Sequence, residues 1–313
     1  MVLQQANPQL SRDALPSPFT NGTRANGAND ANGTRGRLVI EHVDKNFVGS
    51  SVHALRDVSL TCEPGEFVVV VGPSGCGKST LLNVAAGMIK ADGGTVTLDG
   101  RAVNKPGPDR AMVFQDHGLF PWLTAAQNIE FGLKMAGMSR SERRDRVARA
   151  LQMVHLTRSG RKLIHELSGG MRQRVAIARA LVMDPSVLLM DEPFAALDAQ
   201  TRTLLHQQLQ ELWGETRKTI LFVTHSVGEA VRLADRIIVL HAHPGRIRRE
   251  IRVELPHPRH VDAREIGELV HLVRKEIEDE VNRVNALEAG ADHWKPEAPA
   301  HLGPTFGELG GGI

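Results

Sequence analysis

Two cysteines in 313 residues, Cys62 and Cys76, are too few for a disulfide framework or a four-ligand zinc site. Aromatics make up only 4% of the chain, nine Phe and three Trp with no Tyr, so any cluster of them stands out. Neither charge sign dominates: 38 Lys and Arg against 36 Asp and Glu leave a formal +2, which gives no global electrostatic reason to expect nucleic acid or bulk membrane binding. Long apolar runs are missing as well. The longest clean one, Phe67 to Val71, falls far short of the roughly twenty residues a membrane helix needs. The N-terminus has neither the basic nor the apolar stretch of a secretory signal. A cytoplasmic protein is expected, with any membrane spanned by other chains.

What is present divides the chain. Residues 1–36 are rich in Asn, Gly, Thr, Ala and Pro and repeat Asn-Gly-Thr-Arg at 21 and 32, which predicts a disordered leader. Alternation at Val58, Leu60 and Cys62, and the run 38–40, predict strands of a half-exposed sheet. The continuous apolar runs 67–71, 187–190, 220–223 and 237–240 instead predict strands covered on both faces. Helical spacing lies between them, as at Leu205, Leu209, Leu212 and Trp213. The pattern predicts a mainly parallel α/β core with a small antiparallel section near its start. From about 116 to 184 the signal is helical without buried strands, as expected of an inserted helical subdomain. Its Arg-rich stretch 140–162 is interleaved with Glu142 and Asp145 and reads as a solvated helix face. Residues 256–313 are expected to hold an amphipathic helix at about 262–287, with Ile266, Leu269, Val270, Val273, Ile277 and Val284 on one face, and a flexible tail.

Three motifs carry chemistry. Gly72-Pro73-Ser74-Gly75-Cys76-Gly77-Lys78-Ser79-Thr80 follows a buried strand and opens a helix, the arrangement of a phosphate-binding loop. Its glycines let successive N–H groups face one anion, Lys78 reaches the β and γ phosphates, and the Ser79 hydroxyl suits Mg²⁺. Next, the apolar run 187–190 ends in Asp191 and Glu192. A carboxylate at the C-terminal end of a strand beside such a loop is placed to hold Mg²⁺, the role given to Asp191, while Glu192 orients and deprotonates the attacking water. Last, Leu167-Ser168-Gly169-Gly170-Met171-Arg172-Gln173 precedes a helix, with Ser168 as its cap and bare N–H groups at the glycines. That end is either an ordinary capped helix or a second anion site.

Taken in order, GPSGCGKST (72–80), VFQD with Gln115, LSGGMRQR (167–174), VLLMDEP (187–193), AALD ending at Asp198, and VTHS with His225 resemble the nucleotide-binding subunit of an ABC transporter over about residues 38–255. The text VFQDHGLFPWLTAAQNIEFGL, the stretch 222–240 and the HPGRI after it look most like the nitrate, sulfonate, taurine and bicarbonate import group. The resemblance implies a P-loop NTPase, RecA-like core at 37–255 with an antiparallel β section and the inserted helical subdomain. It implies ATP and Mg²⁺ as cofactors, with Ser79, Gln115 and Asp191 about the metal. Gln115 resembles the residue that senses the γ phosphate and couples the site to the membrane partner; His225 resembles the switch histidine that helps Glu192 hold water. Asp198 resembles the residue crossing a dimer interface, and Phe47 takes the place of an aromatic stacking on adenine, unless it is an ordinary core aromatic.

Two copies are then expected to pair head to tail, with ATP between the 72–80 loop of one and Ser168, Gly169, Gly170 and Gln173 of the other. The short segment 118–123, with Phe120, Pro121 and Trp122, is expected either to receive a helix of a membrane subunit or to pack between subdomains. The implied function is ATP hydrolysis that energises import of a small oxyanion through separate permease subunits and, indirectly, a substrate-binding protein, at the cytoplasmic face of the membrane and without nucleic acid. A soluble ABC-type ATPase and a nucleotide-gated regulatory module with little turnover are the alternatives.

Overall fold

The computed structural model describes residues 35–47, 53–242, 244–259 and 264–288, with side chains omitted at 264 and 284–288. The leader up to residue 34, His243, His260, the side chain of Val284 and the tail from 289 lie outside the described residues.

Alternation builds the first sheet. β1 (Leu38–Lys45) pairs antiparallel with β2 (Leu55–Cys62), Leu38 opposite Cys62. In both strands Leu38, Ile40, Val43, Val58, Leu60 and Cys62 are buried. The phenylalanine and four valines of β3 (Phe67–Val71) are all buried, as a continuous run covered on both faces requires. α1 (Lys78–Ala86) follows, then β4 (Gly93–Leu98) and the short β5 (Arg101–Ala102), which complete the first sheet in the order β2-β1-β4-β5.

β6 (Arg110–Val113) leads into the helical part, made of α2 (Ala125–Met135), α3 (Arg140–Met153) and α4 (Gly169–Leu181). The chain then returns to the sheet through β7 (Val187–Asp191), α5 (Ala199–Thr216), β8 (Thr219–Val223), α6 (Val227–Leu233), β9 (Arg236–His241) and β10 (Arg246–Arg252), and ends in α7 (Arg264–Glu288). The main sheet runs β10-β9-β3-β8-β7-β6; its pairs are parallel except β10 against β9. Strands and helices alternating around a mostly parallel sheet are the doubly wound α/β solution, with β3 and β8 at its centre.

Two apolar clusters cover the faces of this sheet. One joins the antiparallel sheet and α1 to Val68, Val70, Leu189, Leu221 and Leu240. The other joins Phe67, Phe194, Phe222 and Trp213 to the helical subdomain. Each fully buried large side chain contributes about 1.5–3 kcal/mol, so the sheet edges carrying the motifs are rigidly held. The second cluster also takes Ile266 and Val273 of α7, with Leu269, Val270 and Ile277 packed beside them. α7 therefore spends its apolar stripe on its own core.

The sequence reading omits β4, β5, β6 and β10. β6 is four residues long and begins with Arg110, a buried cation that donates to the carbonyls of Ala86 at 3.0 Å and of Lys105. β10 reads RIRREIR, the charged pattern of an exposed sheet edge.

Candidate functional site

β3 ends at Val71 and delivers the 72–80 loop at the C-terminal edge of the sheet, where doubly wound folds bind ligands. Gly77 stands at φ +93 as the residue before α1, and a Cβ there would approach the Ala54 carbonyl to 2.5 Å. Glycine is thus required twice over, by backbone conformation and by the close pass of the segment entering β2. No side chain caps α1, so its first-turn N–H groups point outward as a set with the helix's positive end. Lys78, 6% exposed, donates to the carbonyls of Gly72 at 2.9 Å and Pro73 at 2.8 Å. Ser74, Gly75 and Ser79 are exposed, and Pro73, Gly77 and Thr80 half-buried. Cys76 is buried and its thiol is pushed up by that burial, with Lys78 pulling the other way. It packs inward beneath the loop and is not open to bulky thiol reagents.

The parallel register puts the acids beside this loop. Asp191 at the end of β7 pairs with Val223 of β8, the neighbour of β3. Its carboxylate accepts from the Ser79 hydroxyl at 3.0 Å. Burial pushes the Asp191 carboxyl above its ordinary range, the Ser79 hydroxyl pulls it back, and the neighbouring Glu192 pushes it up again. The positive charge of Lys78 also favours its ionised form, and with Ser79 it presents a pair of hard oxygen donors. That donor set fits Mg²⁺, which takes few protein ligands and completes its shell with phosphate and water. Glu192 follows at φ +43, an uncommon conformation for a residue with a side chain. Its N–H donates to Val223 at 2.9 Å, and its carboxylate accepts from the His225 Nδ1–H at 2.9 Å. Local strain of this kind costs about 1–3 kcal/mol and is retained where the surroundings over-determine it.

α4 presents the third motif. Ser168 is exposed and caps the helix, accepting from the Met171 N–H at 3.3 Å. Gly169 is half-buried and Gly170 buried; a Cβ on Gly170 would come within 2.5 Å of Thr201 Cγ2. Gln173 departs from the expected set. It is fully buried, turned toward the core five positions along the helix from the exposed Ser168. Asp198, exposed, caps α5 by accepting from the Thr201 N–H at 2.9 Å, which holds its carboxyl below the ordinary range.

Phe47 follows β1 and is 44% exposed, with Lys45 Nζ 5.7 Å from its ring centroid, so it is not a core aromatic. Gln115 is exposed just past the end of β6. The segment after it is fixed from two sides: Arg179 donates to the carbonyls of His117 at 2.9 Å and Gly118 at 2.6 Å, and the buried Asn128 accepts from the Phe120 N–H at 2.8 Å. Phe120 packs on Phe131 at 4.6 Å and Trp122 at 5.6 Å, and Trp122 itself is 72% exposed.

Sequence reasoning missed the support behind His225. Glu229, buried on α6, accepts from Thr224 Oγ1 at 2.6 Å and lies 3.3 Å from His206 Nε2. Arg202 donates to the carbonyls of Phe194 at 3.3 Å and Leu197 at 2.6 Å, tying down the segment before Asp198. An acid set among Val227, Ala230, Val231 and Leu233 of a short, mainly apolar helix was the available signal. Elsewhere, His241 bonds Glu280 at 2.6 Å and His257 bonds Asp235 at 3.1 Å.

A family profile described as ABC transporter matches residues 55–195. The nitrate import ATP-binding protein NrtD of Synechocystis sp. is 50% identical over 221 residues, which span 70% of this chain and 83% of that protein. The taurine import ATP-binding protein TauB of Jannaschia sp. is 49% identical over 219 residues, 69% of this chain and 82% of that protein. Among solved structures, the dimeric post-hydrolysis state of an ATP-binding cassette bound to ADP and Pi superposes with a TM-score of 0.62 at 36% identity, covering 70% of this chain and all of that one. No helix among the described residues is long and apolar enough to cross a membrane.

Proposed function

Because the chain belongs to the ABC transporter family of ATP-hydrolysing cassettes, we propose that it powers import of a small oxyanion of the nitrate, sulfonate, taurine or bicarbonate type through separate permease subunits. The observation that carries the chemistry is the meeting, at one sheet edge, of two bonded pairs: Ser79 with Asp191 at 3.0 Å and His225 with Glu192 at 2.9 Å. The cargo type is supported by the relatives whose names state nitrate and taurine import.

In this reading ATP lies along the 72–80 loop with its base on Phe47. Lys78 and the amides of α1 meet the phosphates, and Ser79 and Asp191, with Gln115 beside them, would hold Mg²⁺, which would supply neutralisation of phosphate charge. Glu192 orients one water and takes its proton as oxygen bonds to the γ phosphorus and the bond to ADP breaks, giving ADP and phosphate. His225 donates from Nδ1 to Glu192 and thereby fixes its rotamer, so that its own Nε2 can face the γ phosphate.

A second copy supplies Ser168, Gly169 and the first amides of α4 to the same γ phosphate, with Asp198 at the seam. Hydrolysis removes the group both copies share and releases the clamp. The exposed Trp122 and Phe131, both packed on the half-buried Phe120, offer an apolar landing for a helix of the permease on the cytoplasmic face, where the chain sits peripherally. A substrate-binding protein acts on the permease from the other side. A gene-deletion strain tests the reading: uptake of labelled nitrate, taurine, an alkanesulfonate and bicarbonate is measured with and without this chain. Loss of one, restored by the native chain but not by Glu192→Gln, is expected; unchanged uptake of all four removes the oxyanion assignment.

A further inference from the structure

The C-terminal part of α7 bears a buried acid that the hydrolytic site leaves unused. Glu280 is fully buried, and its carboxylate accepts from the Ala242 N–H at 2.8 Å and from His241 Nδ1 at 2.6 Å. The guanidinium groups of Arg283 at 3.0 Å and Arg248 at 3.3 Å complete its partners. Arg283 also donates to the Ala242 carbonyl at 2.5 Å, so α7 grips both polar backbone atoms of one residue. Burial alone would push the Glu280 carboxyl up, but Arg283, the Ala242 N–H and His241 outweigh it and hold it at about 2. Glu280 is therefore an anion at working pH.

Ala242 opens the turn from β9 to β10, and the far end of that turn touches the nucleotide site. A Cβ on Gly245 would stand 2.4 Å from the Cys76 carbonyl and 2.6 Å from the Ala54 carbonyl. The Gly245 N–H donates to Ala54 at 3.2 Å, and its carbonyl accepts from the Arg56 N–H at 2.9 Å. Gly245 is wedged between the phosphate loop and the start of β2, whose partner strand β1 leads into Phe47. Apolar packing of Ile266 and Val273 already anchors α7. A buried ion pair adds little net stability to such packing, but it fixes the position of what it binds.

We infer that Glu280 is a positioning residue of the nucleotide site: by holding Ala242 it sets, through Gly245, where the Cys76 stretch of the phosphate loop and the entry to β2 sit, and so couples α7 to ATP. This rests on the ATPase reading above. The full chain is compared with Glu280→Gln, Arg283→Ala and, as a control, Lys275→Ala on the exposed face of α7, by calorimetric ATP binding, steady-state kinetics and thermal unfolding. Both test variants are expected to raise the Kd and KM for ATP about fivefold or more and to change kcat less than about twofold, with the control unchanged. Reciprocity requires saturating ATP to slow hydrogen exchange along α7 in the native chain.

Folded variants with a lower melting temperature but native Kd and KM would overturn the inference and leave the ATPase reading intact. A native chain that neither binds nor hydrolyses ATP would overturn both. Should Glu280→Gln fail to fold, Arg283→Ala and the exchange measurement decide alone: exchange in α7 indifferent to ATP overturns the coupling.

Discussion

Two helices of this chain start on glycine-rich sequence, and they start differently. α1 follows Gly77 in the left-handed region with no side chain bonded to its first turn, while α4 follows Ser168, whose hydroxyl already takes the Met171 N–H. At α1 the free amides, the helix dipole and Lys78 all converge on one place, a grip able to hold a triphosphate on a single copy. At α4 part of that capacity is spent on the helix itself, so its hold on an anion is weaker. The pairing teaches a division of labour: one end binds, and the other makes a contact that can be lost when the γ phosphate leaves.

That contrast can be broken most severely at the chemistry both ends serve. Glu192→Gln keeps the size of the side chain but removes the proton acceptor, so turnover falls about 10²–10⁴-fold in a steady-state assay while ATP binding by calorimetry stays near native. Lys78→Ala attacks the strong end: ATP affinity of the single chain drops about 10²-fold, the scale of a lost buried charge pair. Gly170→Ala attacks the weak end through packing, since the new Cβ meets Thr201; stability falls by about 1–3 kcal/mol in thermal unfolding, with single-chain ATP affinity unchanged. The gentlest change, Ser168→Ala, costs about 1 kcal/mol of helix capping. It lowers turnover without altering single-chain binding, and equal losses of binding in Lys78→Ala and Ser168→Ala would erase the distinction between the two ends.

Much of this architecture was legible because the physics is local. β3, β7, β8 and β9 are continuous apolar runs, and only strands covered on both faces want that composition. The 72–80 loop and the Asp191-Glu192 pair were legible because each lies within a few residues and at a strand end. What escaped depends on distance along the chain or on compensation. Arg110 hides β6 because its charge is met by carbonyls of Ala86 and Lys105, which no periodicity reveals. Gln173 reads as part of a motif by spacing, yet helical phase turns it inward. Glu229 and Glu280 draw part of their compensation from distant elements, His206 on α5 for the first and His241, Ala242 and Arg248 for the second, pairings that local spacing does not reveal.

The central claim is that one γ phosphate is gripped by the loop of one copy and the Ser168 end of another. The most direct test is the mass of the Glu192→Gln chain by light scattering with saturating ATP and Mg²⁺, combined with a crosslink between cysteines placed at Ser168 and Ser74, after Cys62 and Cys76 have been replaced by serine in a variant shown to bind ATP. The account predicts a dimer that forms with ATP, dissociates with ADP, and crosslinks 168 of one copy to 74 of the other; an ATP-loaded monomer, or a dimer without that crosslink, contradicts it.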